Sequence, residues 1–180
     1  MARLFFALWP DREAAAALAA LAREVARTAR GRAVPEANLH LTLVFLGEVP
    51  ASRVAALQRA ADRVEGRPFR LALDQVGSFA RSGVGWAGCS EPPRELLALQ
   101  ASLQGELERE GFAPEARRYA PHLTLARRIG APVTAGPITP VAWQATELAL
   151  VESARDRGGY ATLARWPLQR EGRKETSAAR

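Results

Sequence analysis

One tetrapeptide occurs twice in this chain and limits how the chain can fold. His-Leu-Thr-Leu spans residues 40–43 and again residues 122–125, and these copies contain both histidines of the 180-residue sequence. At the same offset of 82 residues, Pro10 and the helical pattern after it align with Pro92 and its helical pattern. Strand, helix and HLTL strand are therefore written twice, which predicts two similar lobes related by a pseudo-twofold axis.

The periodicity of apolar residues predicts an α+β fold. Helices are expected over residues 11–30, 50–65 and 92–110, and strands over residues 3–9, 39–46, 69–76, 84–89, 120–127, 143–151 and 160–166. Residues 77–83 and the Gly- and Pro-rich stretch 130–140 are predicted to be loops. We expect one bilobal domain over residues 1–168, each lobe having a β-sheet flanked by helices, with the HLTL strands lining a central cleft. Residues 169–180 are expected to form a polar C-terminal tail.

Alternation along a strand brings each histidine and its threonine to one face. Because successive side chains point to opposite faces, His40, Thr42 and Val44 are predicted to share one face. Phe45 is predicted to lie on the other face. The second copy of the motif follows the same rule, so a cleft between the two copies would hold two imidazoles and two hydroxyls.

Two imidazoles in one cleft suit concerted acid–base catalysis. Imidazole titrates near neutral pH, so one ring can accept a proton while the other donates one. Threonine hydroxyls donate hydrogen bonds to anionic oxygens without adding charge. These groups fit an in-line displacement at phosphorus, in which one histidine activates the nucleophile and the other protonates the leaving oxygen.

Structural, metal-binding and hydrolase roles account less well for the two histidines. A histidine on an apolar strand is usually structural, but that does not explain two identical contexts. No cysteine or carboxylate lies at ligand spacing beside either motif, so no metal is expected. The sequence contains neither the GxSxG motif of serine hydrolases nor the GxxxxGK[ST] loop that binds nucleoside triphosphates.

Charge and cysteine content narrow the setting of the protein. The net charge of +6 attracts anionic partners such as nucleic acids, although only Lys174 among the 25 basic residues is lysine, and such an arginine bias can come from genome composition. Cys89 is the single cysteine, which rules out an intrachain disulfide and fits a reducing cytoplasm. No apolar run approaches the ~20 residues of a membrane span. A cytoplasmic monomer without membrane association is expected.

Four segments of the chain resemble a known family. They are RLFFALWP at residues 3–10, NLHLTLVFLGEV at 38–49, VGSFARSGVGWAG at 76–88 and RYAPHLTLARR at 118–128. In these segments the chain is similar to the 2H phosphoesterase superfamily, and within it to the bacterial and archaeal RNA 2′,3′-cyclic phosphodiesterases, first described as 2′-5′ RNA ligases. The resemblance extends from Arg3 to about Leu168.

The resemblance implies a bilobal α+β fold and hydrolysis without a metal or other cofactor. The implied substrate is an RNA or oligonucleotide with a 2′,3′-cyclic phosphate end, which is opened to a 2′-phosphomonoester. His40 would be the general acid that protonates the leaving 3′-oxygen, and His122 the base that activates water. Thr42 and Thr124 would hold the phosphate, and Arg127 would supply a cation for the anionic substrate.

Arg127 does not fit strict strand alternation. It follows His122 by five residues, which puts it on the opposite face, whereas Arg128 has the matching parity. Either the strand contains a bulge, as strands near active sites often do, or the strand ends and Arg127 curls back.

Phe5, Phe79, Arg81 and Tyr119 are further candidates for substrate contacts. RNA sites commonly stack unpaired bases on aromatic side chains. Phe5 lies on the first strand and can instead floor the cleft or belong to the core. Phe79 and Arg81 lie in a predicted loop, and Tyr119 lies just before the second motif, where a role outside the site is equally compatible with the sequence.

Two further functions stay open at this point. The same groups can work in the reverse sense and join RNA ends through a 2′-5′ linkage. A non-catalytic RNA- or nucleotide-binding module would also use the basic charge and a phosphate-sized pocket, although it would need no acid–base pair.

Overall fold

The helices form where apolar residues recur at helical spacing, and their ends carry the expected signals. The structure, a computed structural model, describes residues 1–113, 118–154 and 159–169. Its helices are α1 (Arg12–Thr28), α2 (Val54–Asp62) and α3 (Arg94–Arg109). Asp11 caps α1, because its carboxylate accepts a 2.9 Å hydrogen bond from the Ala14 amide. None of the helices in these ranges is long and apolar enough to span a membrane.

Within the described residues, nine antiparallel strands form one sheet. They are β1 (Ala2–Leu8), β2 (Arg32–Ala33), β3 (Leu41–Val49), β4 (Phe69–Phe79), β5 (Val84–Gly88), β6 (His122–Arg127), β7 (Gly136–Ala145), β8 (Glu147–Ala154) and β9 (Gly159–Pro167). Their order is β7-β4-β5-β6-β3-β1-β8-β9, and β2 pairs with β6 away from this path. The predicted α+β class is confirmed, and the predicted tail lies outside the described residues.

The centre of the sheet repeats the symmetry of the sequence. The two HLTL strands, β3 and β6, are neighbours, as the duplication predicted, and they are joined at the single pair Leu41 and Leu123. These leucines are equivalent positions of the two motifs, so a pseudo-twofold axis passes between them. On each side the next strand is the one that precedes the long helix of that half, β1 beside β3 and β5 beside β6. The halves therefore share one sheet, and their description as two lobes stays a prediction.

The core lies on the helix-covered face of the sheet. Leu4, Phe6 and Leu8 of β1 are fully buried there, whereas Phe5 and Ala7 form a separate buried cluster on the opposite face. Helix α1 packs on β6, and α3 packs on β3. Each long helix therefore supports the HLTL strand of the other half of the molecule, which fixes the two motifs relative to each other.

A bulge changes the predicted alternation in β3. The register of β1 against β3 passes from Ala7 opposite Thr42 to Phe6 opposite Val44, which leaves Leu43 as an extra residue. Val44 is consequently buried in the core. The prediction that Val44 shares the face of Thr42 was wrong, as was the assignment of Phe45 to the other face. Phe45 pairs with Phe5 and lies on the face of Thr42.

Two predicted loops are partly strand. Gly77–Phe79 continues β4, and only Ala80–Ser82 forms a short 3-10 helix before Gly83. Residues 136–140 belong to β7. This strand lies at the edge of the sheet, where a proline costs few ladder hydrogen bonds, so Pro137 and Pro140 are tolerated in it. The strand predicted over residues 143–151 is divided at Thr146, between β7 and β8.

Candidate active site

The pairing of β3 with β6 decides where the two motifs meet. In an antiparallel pair centred on Leu41 and Leu123, each histidine comes next to the threonine of the other motif. Continued by one residue on each side, this register sets His40 opposite Thr124 and His122 opposite Thr42. It is compatible with the predicted set of two imidazoles and two hydroxyls, which stays a prediction.

Both imidazoles are anchored in the same way. His40 Nδ1 donates to the Asn38 carbonyl oxygen at 2.7 Å, and His122 Nδ1 donates to the Ala120 carbonyl oxygen at 2.9 Å. A carbonyl oxygen can only accept, so Nδ1 carries the proton in both rings. Nε2 is therefore the nitrogen available for proton transfer, and in each motif the ring is held by the carbonyl two residues before it.

Three aromatic rings surround His40. Phe5 stacks on the imidazole with 4.8 Å between ring centroids, Tyr160 meets it edge-on at 4.9 Å, and Trp9 lies 5.2 Å away. Burial among these rings, together with the smaller effects of Arg127 and His122, lowers the pKa of His40 to about 4. The hydrogen bond to the Asn38 carbonyl acts in the opposite direction. In the free protein at neutral pH, His40 is therefore uncharged.

His122 has a different aromatic neighbour. The Phe79 ring meets its imidazole edge-on at 5.0 Å and leans on Trp86 at 5.5 Å. Trp86 pairs with Thr124 in the ladder and lies against Gly77, where a Cβ atom would come within 2.4 Å of the indole. Phe79 is 38% exposed, so its ring is accessible beside the second histidine.

A second bulge determines which arginine faces the site. The register of β5 against β6 passes from Trp86 opposite Thr124 to Gly85 opposite Ala126, which leaves Leu125 as an extra residue. Parity shifts by one, and Arg127 returns to the face of Thr124. Its charge acts on His40, which agrees with this orientation. Arg128 follows with a φ of 54°, beyond the end of the strand.

The remaining candidates from the sequence have distinct positions. Phe5 is only 3% exposed and stacks beneath His40. Its ring therefore supports the imidazole and is not accessible for stacking with a nucleobase. Tyr119 is half-buried, and its hydroxyl donates a 3.0 Å hydrogen bond to the Thr42 carbonyl oxygen. Arg81 is exposed in the turn after β4.

Sequence reasoning missed Trp9, Trp86 and Tyr160. Trp9 follows Phe5 and Ala7 at the strand period, so the parity of β1 contained a usable signal for it. Trp86 lies in the segment that carried the family resemblance. Tyr160 reaches His40 from β9, which is separated from β3 by β1 and β8 in the sheet, and no local pattern announces such a contact.

No group of three or more histidine, cysteine, aspartate or glutamate side chains converges in the part of the chain that the structure describes.

Burial raises the pKa of the Cys89 thiol to about 11, and the nearby Asp74 carboxylate adds to the effect. The thiol is therefore a buried neutral group at physiological pH. The groups that the site offers to a substrate are imidazoles, hydroxyls and a guanidinium.

Comparison with known proteins identifies the family. The sequence model of the 2′-5′ RNA ligase superfamily matches residues 10–157. The chain belongs to the 2′-5′ RNA ligase superfamily. The match spans both HLTL motifs and therefore includes the two histidines, the two threonines and Arg127.

Relatives within the superfamily agree with this membership over most of the chain. The chain is 42% identical over 142 residues to an RNA 2′,3′-cyclic phosphodiesterase of Escherichia coli, covering 77% of this chain and 80% of the relative. It is 34% identical over 188 residues to one of Thermus thermophilus, covering 96% and 93% of the two chains. The crystal structure of Escherichia coli LigT complexed with 3′-AMP superimposes with a TM-score of 0.85 at 37% identity, covering 94% of this chain and 99% of LigT.

Proposed function

We propose that this protein hydrolyses 2′,3′-cyclic phosphate ends of RNA or nucleotides to 2′-phosphomonoesters. The observation that carries the proposal is the pairing of Leu41 with Leu123, which makes the two HLTL motifs neighbours, each with its imidazole anchored through Nδ1. The names of the bacterial relatives and the 3′-AMP bound to LigT support a ribonucleotide phosphate as the substrate class.

The proposed reaction is one in-line displacement. His122 Nε2 takes a proton from water as the water oxygen forms its bond to phosphorus. The bond from phosphorus to the 3′-oxygen breaks, and the 3′-oxygen takes the proton of His40 Nε2. The products are a 2′-phosphomonoester and a free 3′-hydroxyl. The hydroxyls of Thr42 and Thr124 hold the non-bridging oxygens, and Arg127 balances the charge that develops on them.

The role of His40 requires a proton that the free protein does not hold at neutral pH. Burial lowers the pKa of His40 to about 4 before substrate arrives. A bound phosphodiester places a negative charge beside the ring, which favours the imidazolium and raises its pKa. Substrate binding therefore protonates the His40 imidazole. The proton that His40 later donates comes from solvent in this binding step.

Purified protein and a cyclic-phosphate-ended oligonucleotide test the proposed reaction. We expect conversion to the 2′-phosphate, identified by phosphorus NMR, at a rate that EDTA does not change. His40→Ala and His122→Ala should each lower kcat/KM by about 10²- to 10⁴-fold while the circular dichroism spectrum stays unchanged. Activity that disappears with EDTA, or a histidine variant that keeps most of its turnover, would contradict the two-histidine mechanism.

Calorimetry tests the assignment of the acid. The His122→Ala variant is titrated with a nucleoside 2′,3′-cyclic phosphate at about pH 6, in buffers with different ionisation enthalpies. The ligand does not titrate near neutral pH, so proton uptake belongs to the protein. We expect this variant to take up nearly one proton per site on binding. The double variant, which also carries His40→Ala, should take up none. Absence of uptake in the first titration would move the acid role to His122.

Ligation is the second candidate, and the name of the superfamily favours it. The same groups catalyse both directions, because the step that opens the ring is reversible when a 5′-hydroxyl replaces water. Water at high concentration favours hydrolysis, so we propose ligation as the minor reaction. Incubation of a cyclic-ended strand with a 5′-hydroxyl strand should yield mostly 2′-phosphate, and a larger yield of joined strands would reverse this order. Binding without either product would instead support a non-catalytic module.

A further inference from the structure

A two-residue strand brings a second arginine beside Arg127. Strand β2 pairs with β6, and its register sets Arg32 directly opposite Arg127. Ladder partners point to the same face of a sheet, so Arg32 shares the face of Arg127. The next residue, Ala33, lies opposite the buried Ala126 and packs against the core on the other face, which agrees with this orientation. Arg32 is exposed and adds a second guanidinium to the site face.

Backbone contacts on both sides of Arg32 hold β2 against β6. Just after the strand, the Val34 amide donates a 2.8 Å hydrogen bond to the Leu125 carbonyl oxygen. Just before it, Gly31 lies so close to β6 that a Cβ atom there would come within 3.0 Å of the Arg127 carbonyl oxygen. The position of Arg32 relative to Arg127 is therefore set by the packed backbone.

The two guanidinium groups lack a carboxylate to balance them. Like charges directly opposite each other in a strand pair are destabilising. The ion pairs among the described residues lie elsewhere, around α2 and α3 and between β8 and β9, and none of them includes Arg32 or Arg127. A bound anion would offset the repulsion between the two arginines, so this ladder position suits an anionic ligand.

Arg32 lies on the same side of β6 as His40, but farther from the reacting phosphate than Arg127. Strand β5 occupies one edge of β6, so β2 and the strand that follows His40, β3, both pair with the other edge. The charge of Arg127 is close enough to lower the pKa of His40, whereas Arg32 makes no such contribution. In the proposed reaction His40 protonates the leaving 3′-oxygen. Arg32 therefore lies on the leaving-group side of the site, beyond the phosphate that reacts.

We propose that Arg32, together with Arg127, binds a second phosphate of the substrate, the one on the 5′-oxygen of the nucleotide that carries the cyclic phosphate. This inference rests on the proposed function. A guanidinium can give a phosphate two parallel N–H hydrogen bonds, and its charge strengthens both. The terminal nucleotide of an RNA strand carries this 5′-phosphate, whereas a nucleoside 2′,3′-cyclic phosphate lacks it. The arginine pair therefore favours RNA ends over free cyclic mononucleotides.

A second phosphate can belong to a strand or to a mononucleotide, and three substrates separate these sources. A nucleoside 2′,3′-cyclic phosphate with a free 5′-hydroxyl gives the baseline. The same molecule with a 5′-phosphate supplies the second phosphate as a monoester. A cyclic-ended dinucleotide supplies it as the diester that occurs within RNA, and this is the source that we propose.

The experiment compares Arg32→Gln, Arg127→Gln and Arg23→Gln with the unmodified protein on all three substrates. Arg23→Gln is the matched control, because it removes the same charge from an exposed position on α1, on the helix-covered side of the sheet. We expect Arg32→Gln to lower kcat/KM for the dinucleotide by about tenfold or more, the loss expected for one charge-assisted contact. The baseline value should change by less than about twofold. Arg127→Gln should lower all three values.

Salt dependence gives a second measure of the same contact. On a cyclic-ended oligonucleotide, the plot of log kcat/KM against log salt concentration should be less steep for Arg32→Gln, by a slope of about 0.7 for one lost phosphate contact. Arg23→Gln should keep the slope of the unmodified protein. Equal losses from Arg32→Gln on all three substrates, a loss confined to the monoester, or equal effects of Arg32→Gln and Arg23→Gln would overturn the proposal.

Product binding separates this inference from the proposed function. Calorimetry compares adenosine 2′-phosphate with a 2′-phosphorylated dinucleotide, for the unmodified protein and for Arg32→Gln. An unmodified protein that binds the dinucleotide more tightly through Arg32 but hydrolyses nothing would support the second phosphate site and refute the proposed function. Hydrolysis of the dinucleotide that Arg32→Gln leaves unchanged would refute the second phosphate site alone. Matching melting temperatures would show that the losses do not come from unfolding.

Discussion

The Tyr119 hydroxyl donates a 3.0 Å hydrogen bond to the backbone carbonyl oxygen of Thr42, across 77 residues of sequence. Tyr119 lies three residues before His122, so the bond connects the segment that carries one HLTL motif to the backbone of the other. Burial raises the pKa of the Tyr119 phenol well above its ordinary value, and the hydroxyl stays protonated and able to donate. The two motifs are therefore tied at a second point besides the leucine pair.

Tyr119→Phe removes this tie and leaves the ring in place. The Thr42 carbonyl loses its donor, which should lower the free energy of unfolding by about 1–2 kcal/mol. We expect kcat to fall between about tenfold and a hundredfold, because small displacements of catalytic groups reduce turnover strongly. Steady-state kinetics and urea unfolding measure the two effects. A variant with reduced stability but unchanged kcat would make Tyr119 a purely structural residue.

Arg127 and Arg128 form a matched pair for testing the bulge in β6. Arg127→Gln should lower kcat/KM by roughly 10- to 100-fold, since the proposed charge-assisted contact to the phosphate would be lost. Arg128→Gln removes the same charge from the adjacent position, which lies beyond the strand, and should change kcat/KM by less than about threefold. Equal effects from the two variants would indicate that net charge, rather than the parity set by the bulge, governs substrate binding.

The buried imidazole predicts a pH dependence of stability. The pKa of His40 is about 4 in the folded protein, against 6.5 for a free imidazole. Between these values the unfolded chain binds more protons, so stability falls as pH is lowered from about 6.5 to about 4. The loss amounts to about 3 kcal/mol at most. Urea unfolding should show a flatter dependence for His40→Gln than for the unmodified protein.

His122→Gln is the comparison for that experiment, since it removes an imidazole from the equivalent position of the other motif. The difference between the two variants isolates the contribution of the aromatic surround of His40. Parallel pH dependences of His40→Gln and the unmodified protein would show that the burial of His40 does not control acid stability.

Gly77 is predicted to be required by the ring beside it. A Cβ atom at this position would lie 2.4 Å from the Trp86 indole, so Gly77→Ala must displace the ring that supports Phe79. The expected cost is about 1–3 kcal/mol of stability, as for other overpacked sites. Gly105→Ala, on α3 with nothing within 4 Å of the added carbon, should instead stabilise the protein by about 0.5–1 kcal/mol. Thermal unfolding distinguishes the two, and a tolerated Gly77→Ala would show that the indole can move freely.

The parts of this fold that depend on local sequence pattern could be predicted from the sequence. The Asp11 cap, the helix stripes and the neighbouring HLTL strands were all predictable, because they follow from spacing within a few residues or from the repeat itself. The bulges at Leu43 and Leu125 were not predictable in position, since a single extra residue leaves no mark on composition. They shifted Val44 into the core and brought Phe45 and Arg127 to the site face.

Long-range neighbours account for the remaining differences. Tyr160 joins the surround of His40 from a strand that the sequence cannot assign to this neighbourhood. Pro137 and Pro140 indicated a loop, because the sequence alone does not reveal that β7 would be an edge strand. The pKa of His40 depends on both kinds of information, as its burial arises from rings on separate segments of the chain.

The pairing of equivalent leucines gives the backbone of the site the same appearance from either end. A symmetric receptor cannot tell the leaving group of a phosphodiester from its attacking group. Direction comes from positions where the two copies have diverged, with arginine at 127 against phenylalanine at 45, and an enclosed imidazole against an open one. The two ends of the site thus differ in a few side chains that have diverged between the copies. The repeated backbone is the same at both ends and gives the site no direction.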